Sequence, residues 1–363
     1  MPKRHQTDAP LKLLALYLLR ILEEKTSSDH PLSIEELRRA VSRDYNLDVE
    51  RKTVAQHLQM LSRFDPRVQC LTKQRAGKNG ETTSVSCGWY CEPQLEREEV
   101  RFLADALATT RMIPQHQKRD LWKKIQILGG AYAHDLKGAA DFYQATPQTL
   151  VNKQLFLTIS ILDEALENGW RVRFFLGVRD IKGNLIKDPS PSNRLYEVDP
   201  LFMAASGGRY YLAACFPGDQ QAYHFRIEVM LDAEICQDEA GSPIPAETSL
   251  DAHFDIPAYV DDHPYMYSDP IDTFTLRVKD IPGMRLHVFD QFGPTVRLTR
   301  EDSDHLLATV RSNKDAMRFW ARQFADGVEV LEPETLRKQL HEDGNNLRKL
   351  YGGNQEEAPD DNQ

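Results

Sequence analysis

Two stretches decide the fold of this chain, Arg209-Tyr210-Tyr211-Leu212-Ala213-Ala214 and His224-Phe225-Arg226-Ile227-Glu228. Their aromatic and aliphatic side chains favour β-strands. The Gly207-Gly208 pair before the first stretch and the Gly218-Asp219 pair after it are typical of tight turns. The sequence therefore predicts two neighbouring short strands joined by a turn.

The side chains of these two strands have chemistry suited to an anionic ligand. Residues two apart on a strand project from the same face, so Arg209 lies beside Tyr211 and His224 beside Arg226. Guanidinium, imidazole and phenol groups suit a phosphate and a stacked base. The same residue types on a half-buried sheet often serve only in cross-strand packing, and this alternative stays open.

Further strands are predicted on both sides of this pair. From Trp170 the apolar period changes to two, and strand-like segments follow at 172–176, 194–205 and 222–235. Short strands at this spacing, joined by glycine turns, predict a small β-barrel or a strongly bent sheet.

The N-terminal part of the chain differs from the rest in charge. The 363 residues carry 45 Lys and Arg against 55 Asp and Glu, a net charge of -10. Residues 1–80 hold 15 Lys and Arg against 10 Asp and Glu, a net of +5, which leaves 30 against 45, or -15, for residues 81–363. The average argues against non-specific coating of nucleic acid, whereas the basic head is compatible with a specific contact.

Three helices are predicted in this basic head. Apolar residues recur at three- and four-residue steps from Leu11 to Leu22. Ser33 with Glu36 forms a capping box at the start of the second helix. The third helix begins near Asp48 and turns three apolar side chains inward, those of Val54, Leu58 and Leu61.

The outward side chains of the third helix suit base edges and phosphates in a major groove. A hairpin with a basic tip follows this helix, and together they predict a winged helix-turn-helix that binds double-stranded DNA. A charged helix in a protein-interaction module is the alternative. The candidate DNA-binding residues are Arg51, Lys52, Thr53, Gln56, His57 and Gln59 on the helix, with Arg75 and Lys78 in the hairpin.

The β-rich middle of the chain resembles the WYL domain, an Sm-like β-barrel named for an aromatic-Tyr-Leu strand. The residues that carry the resemblance are Val198-Asp199-Pro200-Leu201, the Gly207-Gly208 turn, Tyr210-Tyr211-Leu212 and the run from His224 to Glu228. The order of segments also resembles that of WYL regulators, which place a winged helix first, then a helical connector, the barrel and a C-terminal extension.

This resemblance implies a bacterial, typically homodimeric transcriptional regulator, here expected to be a repressor, whose barrel senses a nucleotide or oligonucleotide. Two positions depart from the family pattern: Leu176 stands where relatives often carry Tyr, and Val229 stands where many carry a second Arg. The implied ligand-binding residues are Arg173, Arg209, Tyr210, Tyr211, His224 and Arg226, with Arg285, Arg297 and Arg311 of the C-terminal extension as further candidates.

The predicted fold class is α+β, with a winged helix-turn-helix, a helical connector, a small Sm-like β-barrel and a C-terminal α/β sandwich. The apolar residues of the connector exceed what one short helical layer can cover, which favours a dimer contact there. The expected segments are 1–92 for DNA binding, 93–146 for the connector, 147–236 for the barrel with its leading helix, 237–353 for the linker and extension, and 354–363 for a disordered acidic tail.

Other functional classes have little support in the sequence. The phosphate-loop, dinucleotide, zinc-protease and nucleophile-elbow motifs are all absent, so no enzyme activity and no cofactor are expected. A nucleic-acid-processing enzyme built on the barrel remains an alternative. Cys87 and Cys91 lack a second ligand pair for zinc. No apolar run is long enough to span a membrane, and the five scattered cysteines are typical of a reducing compartment, so a cytoplasmic location is expected.

Overall fold

The structure is a computed structural model of the chain. It describes residues 11–76, 82–110, 112–134, 136, 152–190, 193–251, 253–293 and 296–352. The chain divides into two compact units, Met1–Val151 and Asn152–Gln363. Both units combine helices with antiparallel sheets, which is compatible with the predicted α+β class.

The first unit begins with three helices and a hairpin. Its elements are a 3-10 turn (Leu11–Leu13), α1 (Leu14–Lys25), α2 (Ile34–Tyr45), α3 (Arg51–Phe64), β1 (Val68–Ala76), β2 (Thr82–Cys91), α4 (Arg97–Thr109) and α5 (Gln115–His134).

One hydrophobic core joins the three helices to the hairpin. The capping box at Ser33 is present, because its hydroxyl accepts from the Glu36 backbone N–H while the Glu36 carboxylate accepts from the Ser33 backbone N–H. As predicted, α3 buries three apolar residues in this core. Its buried members include Leu14, Leu18, Ile21, Leu22, Leu37, Val41, Val54, Leu58, Leu61, Val68 and Trp89.

The two helices after the hairpin pack against each other, and the helical geometry of α5 is interrupted by a kink. Two helical runs meet at this kink, and the second ends at His134. The kink lies at Gly130, whose φ of 49° is open to glycine without strain. A Cβ there would lie 2.5 Å from the Glu23 carbonyl oxygen, so the close approach to α1 requires a glycine.

The second unit contains a curled sheet and a smaller α/β layer. Its elements are α6 (Leu155–Asn168), β3 (Val172–Arg179), β4 (Leu185–Lys187), β5 (Leu195–Ser206), β6 (Arg209–Cys215), β7 (Ala222–Arg226), a 3-10 turn (Ile227–Val229), β8 (Met230–Ile235), α7 (Ile256–Asp262), a 3-10 turn (Pro264–Met266), β9 (Ile271–Lys279), α8 (Pro282–Phe292), β10 (Arg297–Arg300), β11 (His305–Asn313), α9 (Lys314–Gln323), β12 (Val328–Glu332) and α10 (Glu334–Tyr351).

The first sheet of this unit curls on itself. Its strand order is β4-β3-β5-β6-β7, with β8 paired to β3. Phe174 on β3 and Phe225 on β7 pack at 5.3 Å between ring centroids, although β5 and β6 separate their strands in the order. Neighbouring strands are about 4.8 Å apart, so a flat sheet would hold these rings much further from each other. The sheet is therefore a curled half-barrel around an aromatic core.

The connection between β7 and β8 corrects a sequence prediction. One strand was expected over residues 222–235, but the 3-10 turn at Ile227–Val229 divides it. The turn is needed because β7 ends the strand order whereas β8 pairs with β3. This interruption buries Glu228, which a continuous exposed strand would not.

The C-terminal part forms a four-stranded antiparallel sheet with helices packed on it. The strand order is β10-β11-β9-β12, and the chain passes through it as β-α-β-β-α-β. Alternate residues of β9 enter a core with Met284, Val288, Met317 and Trp320. Among the residues described, no helix combines the length and the apolar character needed to cross a bilayer.

Candidate functional site

Helix α3 presents a polar stripe on the side opposite the core. Lys52, Gln56, Gln59 and Arg63 are all exposed. Their spacings of four, three and four residues place them along one face of a helix. The stripe points to solvent because Val54, Leu58 and Leu61 occupy the opposite face and are buried.

The cations of α3 differ from those of α2 in their partners. Within the described part of the chain, Arg51, Lys52 and Arg63 form no ion pair with a carboxylate. On α2, by contrast, Arg38 Nη2 lies 2.9 Å from Glu35 Oε1, and Arg43 Nε lies 2.7 Å from Asp44 Oδ1. The pairing with Arg38 and, more weakly, the charge of Arg51 lower the pKa of Glu35. The positive charge of Lys52 and Arg63 is therefore the part of α3 that is available to an external anion.

The other candidates in the first unit lie around this stripe. Thr53 and His57 are half-buried on its flank, and His57 Nδ1 lies 2.9 Å from the Thr53 carbonyl oxygen. Arg75 lies in β1 opposite Thr83, whereas Lys78 lies outside the described residues. Arg63 was missed by the sequence reasoning, although its position seven residues after Gln56 continues the same helical face.

The register of β6 and β7 brings together part of the second candidate set. Tyr211 pairs directly with Arg226, so their side chains share a face with Arg209. Arg226 donates from Nε and Nη2 to Glu228 Oε1, at 2.8 and 2.7 Å. Arg209 Nη1 lies 3.7 Å from the same oxygen. We call Arg209, Tyr211, Arg226 and Glu228 the arginine site.

Glu228 is the residue of the arginine site that the sequence reasoning did not assign. Its side chain is only 7% exposed, whereas that of Arg226 is 39% exposed. Its second oxygen, Oε2, is buried without a hydrogen-bond partner among the described residues. Burial raises the pKa of the neighbouring Tyr211, although the charges of Arg209 and Arg226 act in the opposite direction.

Two candidate residues lie apart from the arginine site. Arg173 on β3 donates from Nε to Glu234 Oε1 on β8 at 2.8 Å, which is a cross-strand ion pair. Tyr210 alternates with Tyr211 and so points to the other face of β6. Burial raises the pKa of Tyr210, and the nearby Asp163 on α6 raises it further.

His224 belongs to a half-buried cluster with residues far along the chain. Its Nε2 lies 3.1 Å from the Tyr259 hydroxyl and its Nδ1 lies 3.2 Å from the Ser268 hydroxyl. The His263 ring stacks on Tyr259 at 3.9 Å. Burial lowers the pKa of His224 to about 4, with a further contribution from the charge of His263. The neutral imidazole therefore acts here as a hydrogen-bonding group.

Among the described residues of the first unit, Glu23, Asp65 and Cys91 form one group of possible metal ligands, whose ligand atoms all lie within 4.8 Å of one another. Arg67 Nη2 occupies the carboxylates instead, at 2.8 Å from Glu23 and 2.7 Å from Asp65. Burial raises the pKa of the Cys91 thiol to about 11, which keeps it protonated. These residues form an internal ion pair and do not fit a cation.

Two of the three C-terminal candidates lie close to carboxylates. Arg285 Nε lies 3.5 Å from Asp280, and Arg311 Nη2 lies 2.9 Å from Asp262. Arg297, which forms no ion pair among the described residues, lines a cavity of about 300 Å³ together with Arg311. The two acidic residues Asp261 and Asp262 line the same cavity, so its charge is mixed.

Comparisons with known proteins give weak structural likenesses. Neither a protein-family model nor a curated protein matches the chain. Among solved structures, it is similar to proteasome accessory factor B/C (PafBC) of Arthrobacter aurescens, at 15% identity and a TM-score of 0.30, over 97% of this chain and 52% of that one. The chain thus spans about half the length of this protein.

A second similar structure is that of a CRISPR Cas-related protein. The identity is 11% and the TM-score 0.34, over 94% of this chain and 84% of that chain. TM-scores this low carry no argument about a shared fold or activity.

Proposed function

We propose that the chain is a DNA-binding transcriptional regulator, a repressor that acts as a homodimer. Its first unit binds an operator duplex as a winged helix-turn-helix, with α3 in the major groove and the β1–β2 hairpin against the backbone. An anionic effector, a nucleotide or an oligonucleotide, binds the curled sheet at the arginine site and changes operator affinity. The resemblance of the middle segment to the WYL domain supports the second part of the proposal.

The observation that carries the proposal is the unpaired charge of α3. A helix that binds DNA must offer cations to phosphates and donors to base edges on one exposed face. Lys52 and Arg63 supply the first, and Gln56 and Gln59 supply the second. Because these cations form no ion pair among the described residues, binding displaces no internal partner.

A titration with duplex DNA tests the proposal. The protein is mixed with a duplex from upstream of its own gene and with a scrambled duplex of equal length, at several salt concentrations. We expect tighter binding to the upstream duplex and an affinity that falls steeply with salt, because counterions are released from the phosphates. Equal binding to both duplexes, or none to either, would favour the alternative, in which α3 belongs to a protein-interaction module.

A pair of matched variants separates specific from general effects. Gln56→Ala removes a base-edge donor, so it should reduce the preference for the upstream duplex with little change in the salt dependence. Lys52→Ala removes a phosphate contact, so it should weaken both duplexes and reduce the salt dependence. Arg43→Ala on α2 is the control, because Asp44 already offsets this charge.

A further inference from the structure

Glu228 lies close to both arginines of the arginine site. The role inferred for it rests on the proposed function, in which this site binds an anion, and extends it. In the proposed function, Arg209 and Arg226 bind the anionic effector. In the structure an anion already occupies that position, since Glu228 Oε1 accepts from Nε and Nη2 of Arg226 and lies 3.7 Å from Arg209 Nη1. An incoming anion therefore meets a paired guanidinium.

The backbone holds Glu228 in this position. The residue lies in the 3-10 turn Ile227–Val229, which interrupts the sheet and packs against α6. Ile227 is fully buried and anchors the turn. The Glu228 side chain is therefore buried beside the sheet, whereas the Arg226 side chain that pairs with it reaches solvent.

The carboxylate is also incompletely satisfied. Its Oε2 is buried and accepts no hydrogen bond within the described residues. Leaving such an acceptor unpaired costs free energy. A ligand that draws Arg226 outward would leave this carboxylate with only the more distant Arg209.

We propose that Glu228 is the internal counter-ion of the arginine site and makes the site selective for singly charged anions. Two guanidiniums and one buried carboxylate leave a net charge of one at the site. A phosphodiester carries one negative charge, whereas inorganic phosphate at neutral pH carries between one and two. The doubly charged form is repelled by the carboxylate, because like charges this close disfavour each other in a partly buried site.

The inference is tested by binding measurements on the full chain and its Glu228→Gln variant. The probes are inorganic phosphate and a dinucleotide with a single phosphodiester, each titrated by calorimetry. Glu228→Gln keeps the shape of the side chain and removes its charge, so it should bind inorganic phosphate roughly tenfold more tightly, the scale of one charge-assisted hydrogen bond. The dinucleotide should gain less than about threefold.

Glu234→Gln is the matched control. It neutralises another carboxylate of the same sheet that pairs with an arginine, Arg173, away from the arginine site. It should leave phosphate affinity unchanged. An equal gain in this variant, or no gain in Glu228→Gln, would overturn the inference. So would a gain that persists after Arg226→Gln is added to Glu228→Gln.

A second variant keeps the test informative if Glu228→Gln does not fold. Glu228→Asp withdraws the carboxylate by one methylene, which weakens both its pairing with Arg226 and its repulsion of the incoming anion. Phosphate affinity should therefore rise in this variant too, by less than in Glu228→Gln, and unchanged affinity would contradict the proposal. Duplex binding through α3 is measured separately. If Glu228→Gln gains phosphate affinity but the protein shows no preference for the upstream duplex, the regulator proposal fails and the counter-ion proposal holds. If the preference is present but the gain in phosphate affinity is absent, the counter-ion proposal fails and the regulator proposal holds.

Discussion

Two cationic surfaces of this chain differ in whether carboxylates pair with their cations. On α3, Arg51, Lys52 and Arg63 form no ion pair among the described residues. On the curled sheet, Arg226 pairs with Glu228 and Arg173 pairs with Glu234. A surface with unpaired cations, such as α3, binds an external anion without losing an internal ion pair. On the curled sheet, an external anion competes with the carboxylate that already pairs with the arginine. The first suits strong, salt-dependent attraction, and the second suits selection between ligands.

The largest expected effect concerns the unpaired cations of α3. The triple variant Arg51→Ala/Lys52→Ala/Arg63→Ala should bind the upstream duplex on the order of a thousandfold more weakly. The slope of log affinity against log salt should fall by about 2.7, since each phosphate contact contributes about 0.9. Fluorescence anisotropy at several salt concentrations measures both quantities.

The control for this comparison lies on α2. The double variant Arg38→Ala/Arg43→Ala removes two cations that are already paired with Glu35 and Asp44. It should change the slope by much less than the triple variant. A loss as large as that of the triple variant would show that pairing in the structure does not decide which cations meet DNA.

Lowering the pH should destabilise the second unit, because the unfolded state binds a proton at His224 more readily than the folded state. Its folded pKa of about 4 lies below the usual value of 6.5, so the folded state favours the neutral ring. The resulting stability is fully present above pH 6.5 and is lost as the pH falls towards 4. Between pH 7 and pH 5 the free energy of unfolding should decrease by about 2 kcal/mol.

Denaturant unfolding at a series of pH values measures this decrease. His224→Gln keeps hydrogen-bonding capacity towards Tyr259 and Ser268 without a titrating ring, so it should flatten most of the dependence. The remainder is assigned to His263, whose pKa burial also lowers. An unchanged pH dependence in His224→Gln would contradict this account.

A smaller effect is expected from breaking the pair in the arginine site. Arg226→Gln leaves the buried Glu228 with only the more distant Arg209, and should lower the free energy of unfolding by about 1–2 kcal/mol. Part of the usual cost of a broken buried pair is absent because Arg226 is 39% exposed. The double variant Arg226→Gln/Glu228→Gln should recover most of the loss.

Denaturation curves of the two single variants and the double variant give the coupling energy directly. Lys52→Gln on α3 is the reference for an unpaired cation and should change stability by less than about 0.5 kcal/mol. If Arg226→Gln were equally neutral, the difference between the two surfaces would have no energetic meaning.

The smallest effect is expected at Arg173. Its pair with Glu234 is largely exposed, and exposed ion pairs contribute about 0.2–1 kcal/mol. Arg173→Gln should therefore cost less than about 0.5 kcal/mol and leave phosphate binding unchanged. Reduced phosphate affinity in the calorimeter would instead place Arg173 in the ligand site, as the family resemblance implies.

The sequence predicted the elements near α3 well because helix geometry is local. The period of Val54, Leu58 and Leu61 identifies the buried face from residues within four positions of each other, and the capping box at Ser33 is equally local. Arg63 follows the same period on the exposed face, seven residues after Gln56, although it was not among the candidates. The curled sheet was expected from short strands and glycine turns, and its mixed α+β setting agrees with the structure.

The arrangement around Glu228 and His224 was not predictable in this way. The sequence indicated one strand through residues 222–235, because its local pattern contains no breaker between β7 and β8. The turn there arises from the need to carry the chain from one end of the strand order to β3. His224 meets Tyr259 and Ser268, which lie 35 and 44 residues away along the chain.

By itself, the sequence determined where charge and apolar residues alternate: a basic head of three helices and a hairpin, a glycine-punctuated β-rich middle, and Arg226 two residues after His224 on one strand. Only the tertiary structure decided which of the cations are neutralised. An ion pair such as Arg173–Glu234 needs side chains from distant strands to meet. Periodicity identifies the face on which a residue lies, whereas its partner depends on which elements pack together.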